Sequence, residues 1–148
     1  MATVERDDRG LWKRALITAP AIVILGTLMG IVSNSGFENS WYAELQKPSF
    51  QPPSWAFGAA WTTLYTMMGI ALAAILNEPP SRQRRDALWL FGGQLALNFA
   101  WSPIFFGLQM IDVAFIVIIV MLIMGAMGYR KRTSFLPGSP WPRSASSP

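Results

Sequence analysis

Cysteine and histidine are both absent from this chain of 148 residues. Without cysteine there are no disulfides, thiolate metal sites or thiol redox chemistry. Without histidine there is no imidazole general base, no His-ligated zinc and no His-ligated haem. Charge is scarce too: Asp, Glu, Lys and Arg make up 14% of the residues, against about 25% in a soluble domain. The sequence contains no P-loop, so ATP does not drive transport here. The long apolar stretches hold no carboxylate, which excludes a paired-acid site and an Asp/Glu proton relay inside a membrane. A small four-helix drug–proton antiporter matches the length, but it needs an embedded acid, and Asp112 at a helix end is the nearest to one.

What is present is apolar surface in four blocks. Residues 15–32, 55–76, 87–107 and 113–128 contain no charged side chain and are 18, 22, 21 and 16 residues long. A spanning helix needs about 20 apolar residues, and the fourth block reaches that range if it starts at Ile111. The expectation is an all-α integral membrane protein with transmembrane helices at about 11–32, 55–76, 87–107 and 111–128. A polar N-terminus (1–10) precedes them, and a Pro/Ser/Arg-rich tail expected to be disordered (129–148) follows. Arg9, Lys13 and Arg14 ahead of the first block also resemble a signal peptide, but the block is too long for one and lacks a small-x-small cleavage pattern. The first helix is therefore expected to be retained.

The basic residues sort by side of the membrane. Of 12 Lys and Arg, four lie in residues 1–14, three in 77–86 and four in 129–148, and only Lys47 lies in the first loop, 33–54. By the positive-inside rule both termini and the second loop face the cytoplasm of a bacterial inner membrane. The pI of about 10.0 then reflects topology, and no nucleic-acid partner is expected. Arg130-Lys131-Arg132 reads as a juxtamembrane stop with an affinity for anionic lipid.

The first loop is unusual. It carries Pro48, Pro52 and Pro53 within six residues, which stiffens the backbone, and it is flanked by Trp41, Tyr42, Phe50 and Trp55. An interfacial aromatic belt accounts for Trp41 and Tyr42; a lid accounts for the whole rigid loop. In the first helix Gly26-x-x-x-Gly30 permits close helix packing, within the chain or between subunits. In the second, Trp61, Tyr65 and Met68 share one face. Because indole and phenol groups need partners in lipid, that face is expected to look inward. In the third, Gln94, Asn98, Trp101 and Phe105 form one stripe. Amides at that depth are either interhelical glue or a ligand site. Pro103 removes a backbone donor and is expected to kink the helix. An aromatic and amide face beside Trp61 and Tyr65 has the composition of a small-molecule site.

Two stretches then resemble a known family. Trp41-Tyr42-x-x-Leu45-x-Lys47-Pro48-x-x-x-Pro52-Pro53-x-Trp55-x-Phe57-Gly58-x-x-Trp61-Thr62-x-Leu64-Tyr65-x-x-Met68-Gly69 is similar to the first signature of the tryptophan-rich sensory protein / translocator protein family. Gln94-Leu95-Ala96-Leu97-Asn98-x-x-Trp101-Ser102-Pro103-x-Phe105-Phe106-Gly107 resembles its second. The resemblance implies a membrane protein of bacterial envelopes or the mitochondrial outer membrane, often dimeric, that binds porphyrins such as protoporphyrin IX and often sterols. It places Trp61, Asn98 and Trp101 in the pocket and Tyr42 in the lid, and it requires no cofactor. Phe50 stands where the family usually has Trp. The family's usual fifth helix has no counterpart ahead of the tail, so four helices of a five-helix bundle are expected. Three functions follow as expectations: a porphyrin-binding sensor or translocator-like protein involved in tetrapyrrole or stress regulation, a light-dependent porphyrin-degrading protein, and a member that keeps packing and dimerisation through Gly26 and Gly30 but no ligand.

Overall fold

A computed structural model describes residues 8–133, and all of its regular structure there is helical. α1 spans Asp8–Val32, α2 Ser40–Glu44, α3 Ser54–Asn77, α4 Arg82–Ser102 and α5 Ile111–Thr133; a π-helical turn, Pro103–Gly107, continues α4. Local chemistry sets the ends. Asp8 places a carboxylate in the first turn of α1, where the helix dipole favours it. Asn34 adopts a left-handed φ of 48° just past the end of α1, and the N–H and hydroxyl of Ser35 both donate to the Gly30 carbonyl. α3 stops where Pro79 forces Glu78 into extended backbone. Ser81 caps α4 by accepting from the Arg84 N–H at 3.1 Å.

Two antiparallel helix pairs make the molecule. In α1/α3, Ala19 meets Gly69 and Gly26 meets Tyr65. A Cβ on Gly69 would fall on the backbone of Ala19, and one on Gly26 would fall in the Tyr65 ring. These two contacts let the helix backbones approach. In α4/α5, Gly93 faces Met124, Gly125 faces Gln94 and Gly128 faces Leu90. Tyr65 and Phe99 join α3 to α4, and the core is Ile22, Tyr65 and Met68 with Trp61, Leu72, Phe91 and Leu95 packed on it. The inward face expected of Trp61, Tyr65 and Met68 is thus the core face of α3.

Among the described residues three helices are long and apolar enough to cross a membrane: α1, α3 and Ile111–Gly128 of α5. α4, the fourth expected helix, is more polar than these three. It contains the charge-free run from Ala87 onward, but it begins with Arg82, Arg84, Arg85 and Asp86 and carries Gln94, Asn98 and Ser102. The helix extends backward into these charges because the Ser81 cap starts it there. The tail boundary also moves: residues 129–133 continue α5, while 134–148 lie outside the described residues. The antiparallel order puts nine of the ten described basic residues at one end of the bundle, with Asp8, Glu78 and Asp86. Lys47 lies at the other end with Glu38, Glu44 and Asp112.

One interhelical bond was not legible in the sequence. The Thr18 hydroxyl lies 2.7 Å from the Gly69 carbonyl of α3 and 3.1 Å from the Arg14 carbonyl of its own helix. Its single proton serves one of them at a time. Thr18→Val is expected to destabilise the protein by about 0.6 kcal/mol, the mean for such bonds in membranes, measured by denaturant titration in micelles. An unchanged midpoint would mean that the hydroxyl bonds only along α1.

Candidate functional site

A cleft of about 290 Å³ opens between α1 and α3 at the end away from the basic residues. Its walls are Gly26, Gly30 and Ile31 on one side and Phe57, Gly58, Trp61 and Tyr65 on the other, with hydroxyls from Thr27, Ser35, Thr62 and Ser102. The glycines create the space, since side chains at Gly26, Gly30 or Gly58 would project into or beside it. An apolar wall with a few polar groups is the usual makeup of a small-molecule site.

Behind Trp61 the aromatic residues continue without a break. Trp61 packs on Tyr65 and on Trp101, each at 5.6 Å between ring centroids. Trp101 lies nearly parallel to Phe105 at 4.9 Å and 9°, an arrangement aromatic pairs favour. The π-turn explains the placement. Pro103 offers no N–H, and the next bonds run from the Leu108 N–H to the Pro103 carbonyl and from the Met110 N–H to the Ile104 carbonyl. This wider winding presents both Phe105 and Phe106 to the loop. The kink expected at Pro103 is this change of winding. The indole Nε1 of Trp101 is buried and has no hydrogen-bond partner among the described residues. Such a donor carries a desolvation cost of about 1–3 kcal/mol.

The first loop folds down on this cluster. Tyr42 is its centre: Phe37 lies at 5.6 Å, Phe106 at 5.5 Å and Phe105 at 6.2 Å. Lys47 Nζ sits 4.3 Å from the Tyr42 ring centroid, a cation–π contact, and the Gln51 amide donates to the Tyr42 hydroxyl at 3.3 Å. Trp41 meets Phe105 edge-on at 5.5 Å. Asn39 holds α2 in place: its Oδ1 accepts from the Tyr42 N–H at 3.1 Å and its Nδ2 donates to the Asn34 carbonyl at 2.9 Å. Pro48 and Pro52 are exposed, and Pro53 precedes the first turn of α3.

The structure thus separates the sequence-predicted residues into groups. Trp61 and Tyr65 line the cleft, with Gly26 and Gly30 opposite them. Trp101 and Phe105 stand behind Trp61; Tyr42, Trp41 and Lys47 organise the loop. Asn98 is buried, but its amide donates to the Gln94 carbonyl of its own helix at 3.0 Å, not across to another helix. Gln94 faces Gly125 of α5, so the two amides diverge and neither lines the cleft. Gly26 is covered by Tyr65 of the same chain, and a Cβ on Gly30 would meet the Ser35 hydroxyl. Sequence reasoning missed Phe37, Asn39 and Thr27, and it met Phe57, Thr62, Ser102 and Phe106 only as members of the two signatures. Asn39 ahead of Ser40-Trp41-Tyr42 was a readable helix cap. The hydroxyl residues carry no periodic signal.

The profile of the TspO/MBR family matches residues 17–135. The human translocator protein is 45% identical over 85 residues, covering 56% of this chain and 50% of that protein. The tryptophan-rich sensory protein of Cereibacter sphaeroides is 40% identical over 83 residues, 56% of this chain and 51% of that protein. The tryptophan-rich protein TspO of Chlorobaculum tepidum is 35% identical over 118 residues, 70% of this chain and 75% of that protein. The chain therefore spans about half the length of the first two relatives.

Proposed function

Because this chain belongs to the TspO/MBR family, a family of membrane proteins with sensor and translocator names, we propose that it binds a tetrapyrrole at the α1/α3 cleft. Protoporphyrin IX is the test ligand. The observation that carries this reading is the continuous aromatic wall, Trp61 on Trp101 on Phe105, set against a cleft with four hydroxyl groups. A flat apolar ring stacks on the indole of Trp61, and its carboxylates find hydroxyl donors in Thr27, Thr62 and Ser102. At about 290 Å³ the cleft lies at the lower edge of the roughly 300–1,000 Å³ usual for ligand sites. One edge of the macrocycle enters, and the remainder lies at the open mouth of the cleft. No imidazole is needed, because a metal-free porphyrin takes no axial ligand. The basic end faces the cytoplasm by the positive-inside rule, so the cleft opens toward the far side of a bacterial inner membrane.

The test is a titration of protoporphyrin IX into the full chain in nanodiscs, followed by porphyrin absorbance so that the signal does not depend on tryptophan number. Saturable binding is expected, with Trp61→Ala weakening it at least tenfold, about 1.4 kcal/mol. Binding that never saturates, or that ignores Trp61→Ala, would overturn the reading.

A further inference from the structure

A second cavity lies at the opposite, basic end of the same helix pair. It measures about 250 Å³ and is lined by Trp12, Ala15, Leu16, Ala19, Pro20 and Ile70. Apart from the Trp12 indole N–H, these side chains are apolar. Arg9, Trp12, Leu16 and Pro20 recur at helical spacing along one flank of α1, and Lys13 is the next position round. The order along the flank is cation, indole, aliphatic. Trp12 is largely exposed, as expected of an indole at a membrane–water boundary. From Arg9 to Pro20 the helix rises roughly 16 Å, about half the hydrocarbon thickness of a bilayer. Arg9 and Lys13 are exposed and make no ion pair among the described residues. The described acids at that end are Asp8, Glu78 and Asp86, fewer than the nine basic residues there; Glu5 and Asp7 lie outside the described residues.

We propose that this groove holds one acidic phospholipid, with its phosphate at Arg9 and Lys13 and an acyl chain along Leu16, Pro20 and Ile70. The charge order along α1 matches that of the lipid: an anion meets two cations with no ion pair among the described residues, and a chain meets the apolar groove from Trp12 to Pro20. A free phosphate would use only the first half of this arrangement. The site lies at the far end of the α1/α3 seam from the tetrapyrrole cleft and stands independently of that reading.

The full chain in detergent is titrated with phosphatidylglycerol or with phosphatidylcholine of the same acyl chains, and retained lipid is counted by native mass spectrometry. One phosphatidylglycerol is expected per chain, retained at least fivefold better than phosphatidylcholine. The double variant Arg9→Gln/Lys13→Gln should fall to the phosphatidylcholine level. Ile70→Trp, which fills the groove and leaves the cations alone, should lower retention as well. Arg82→Gln/Arg85→Gln, at the same end but on α4, should leave it unchanged. Equal retention of the two lipids, equal loss in both double variants, no loss in Ile70→Trp, or displacement by inorganic phosphate would each overturn the proposal. Circular dichroism of every variant separates lost lipid from lost fold.

Discussion

Gly69→Ala is expected to lower stability by about 3 kcal/mol, the upper part of the overpacking range. The added methyl meets the Cα of Ala19, and backbone cannot rotate out of the way. The helices must separate along the seam, disturbing the Thr18–Gly69 bond and the core contact of Ile22 with Tyr65. Gly26→Ala is the comparison. The atoms nearest its methyl are in the ring of Tyr65, a side chain that can shift, so about 1–2 kcal/mol is expected, with partial recovery in Gly26→Ala/Tyr65→Leu. Gly92, where an added methyl would have nothing within 4 Å, is the control. There Ala should stabilise by about 0.5–1 kcal/mol through helix propensity alone. Denaturant titration in micelles gives all three signs. Equal effects at Gly69 and Gly92 would mean that α1 and α3 are not packed through Ala19.

The second large effect belongs to Trp101. Removing its ring, which touches Trp61, Phe105 and Phe106, in Trp101→Ala is expected to cost about 3–5 kcal/mol and to abolish saturable porphyrin binding. Trp101→Phe separates packing from hydrogen bonding. It keeps an aromatic face for Phe105 and Trp61 but deletes the unpartnered Nε1–H. Relief of that donor, worth about 1–3 kcal/mol, opposes the loss of ring area, so stability should stay within about 1 kcal/mol of the parent. Porphyrin affinity should change by less than about twofold, about 0.4 kcal/mol, because this N–H is buried behind Trp61 and the cleft presents the hydroxyls of Thr27, Thr62 and Ser102. A larger loss would mean that the Trp101 N–H reaches the ligand.

Helix positions were largely legible because lipid imposes them. An apolar run must satisfy its own backbone, and only a helix does so within one segment. That logic located α1, α3 and α5 and the inward face of Trp61, Tyr65 and Met68. It located α4 as well, whose charge-free run from Ala87 lies within the helix, but not its start, which the Ser81 cap sets among charged residues. The stripe of Gln94, Asn98, Trp101 and Phe105 shows the limit of periodicity. Helical spacing put all four on one face. In the fold, Gln94 turns to α5, Asn98 bonds back along its own helix, and the π-turn carries Phe105 up to the loop. A stripe is wide enough to touch two neighbours, and periodicity does not say which one.

The sequence by itself determined that this is a helical membrane protein with one basic end, a proline-stiffened aromatic loop and the signatures of the TspO/MBR family. Those properties follow from composition and local spacing, which act on each segment alone. Only the tertiary structure decided where the cleft lies. It depends on Gly26 meeting Tyr65, on Ala19 meeting Gly69, and on hydroxyls from α1, α3 and the end of α4 arriving at one place. These are distances between segments far apart in the chain. They are set by how closely two backbones can approach, which no single segment encodes.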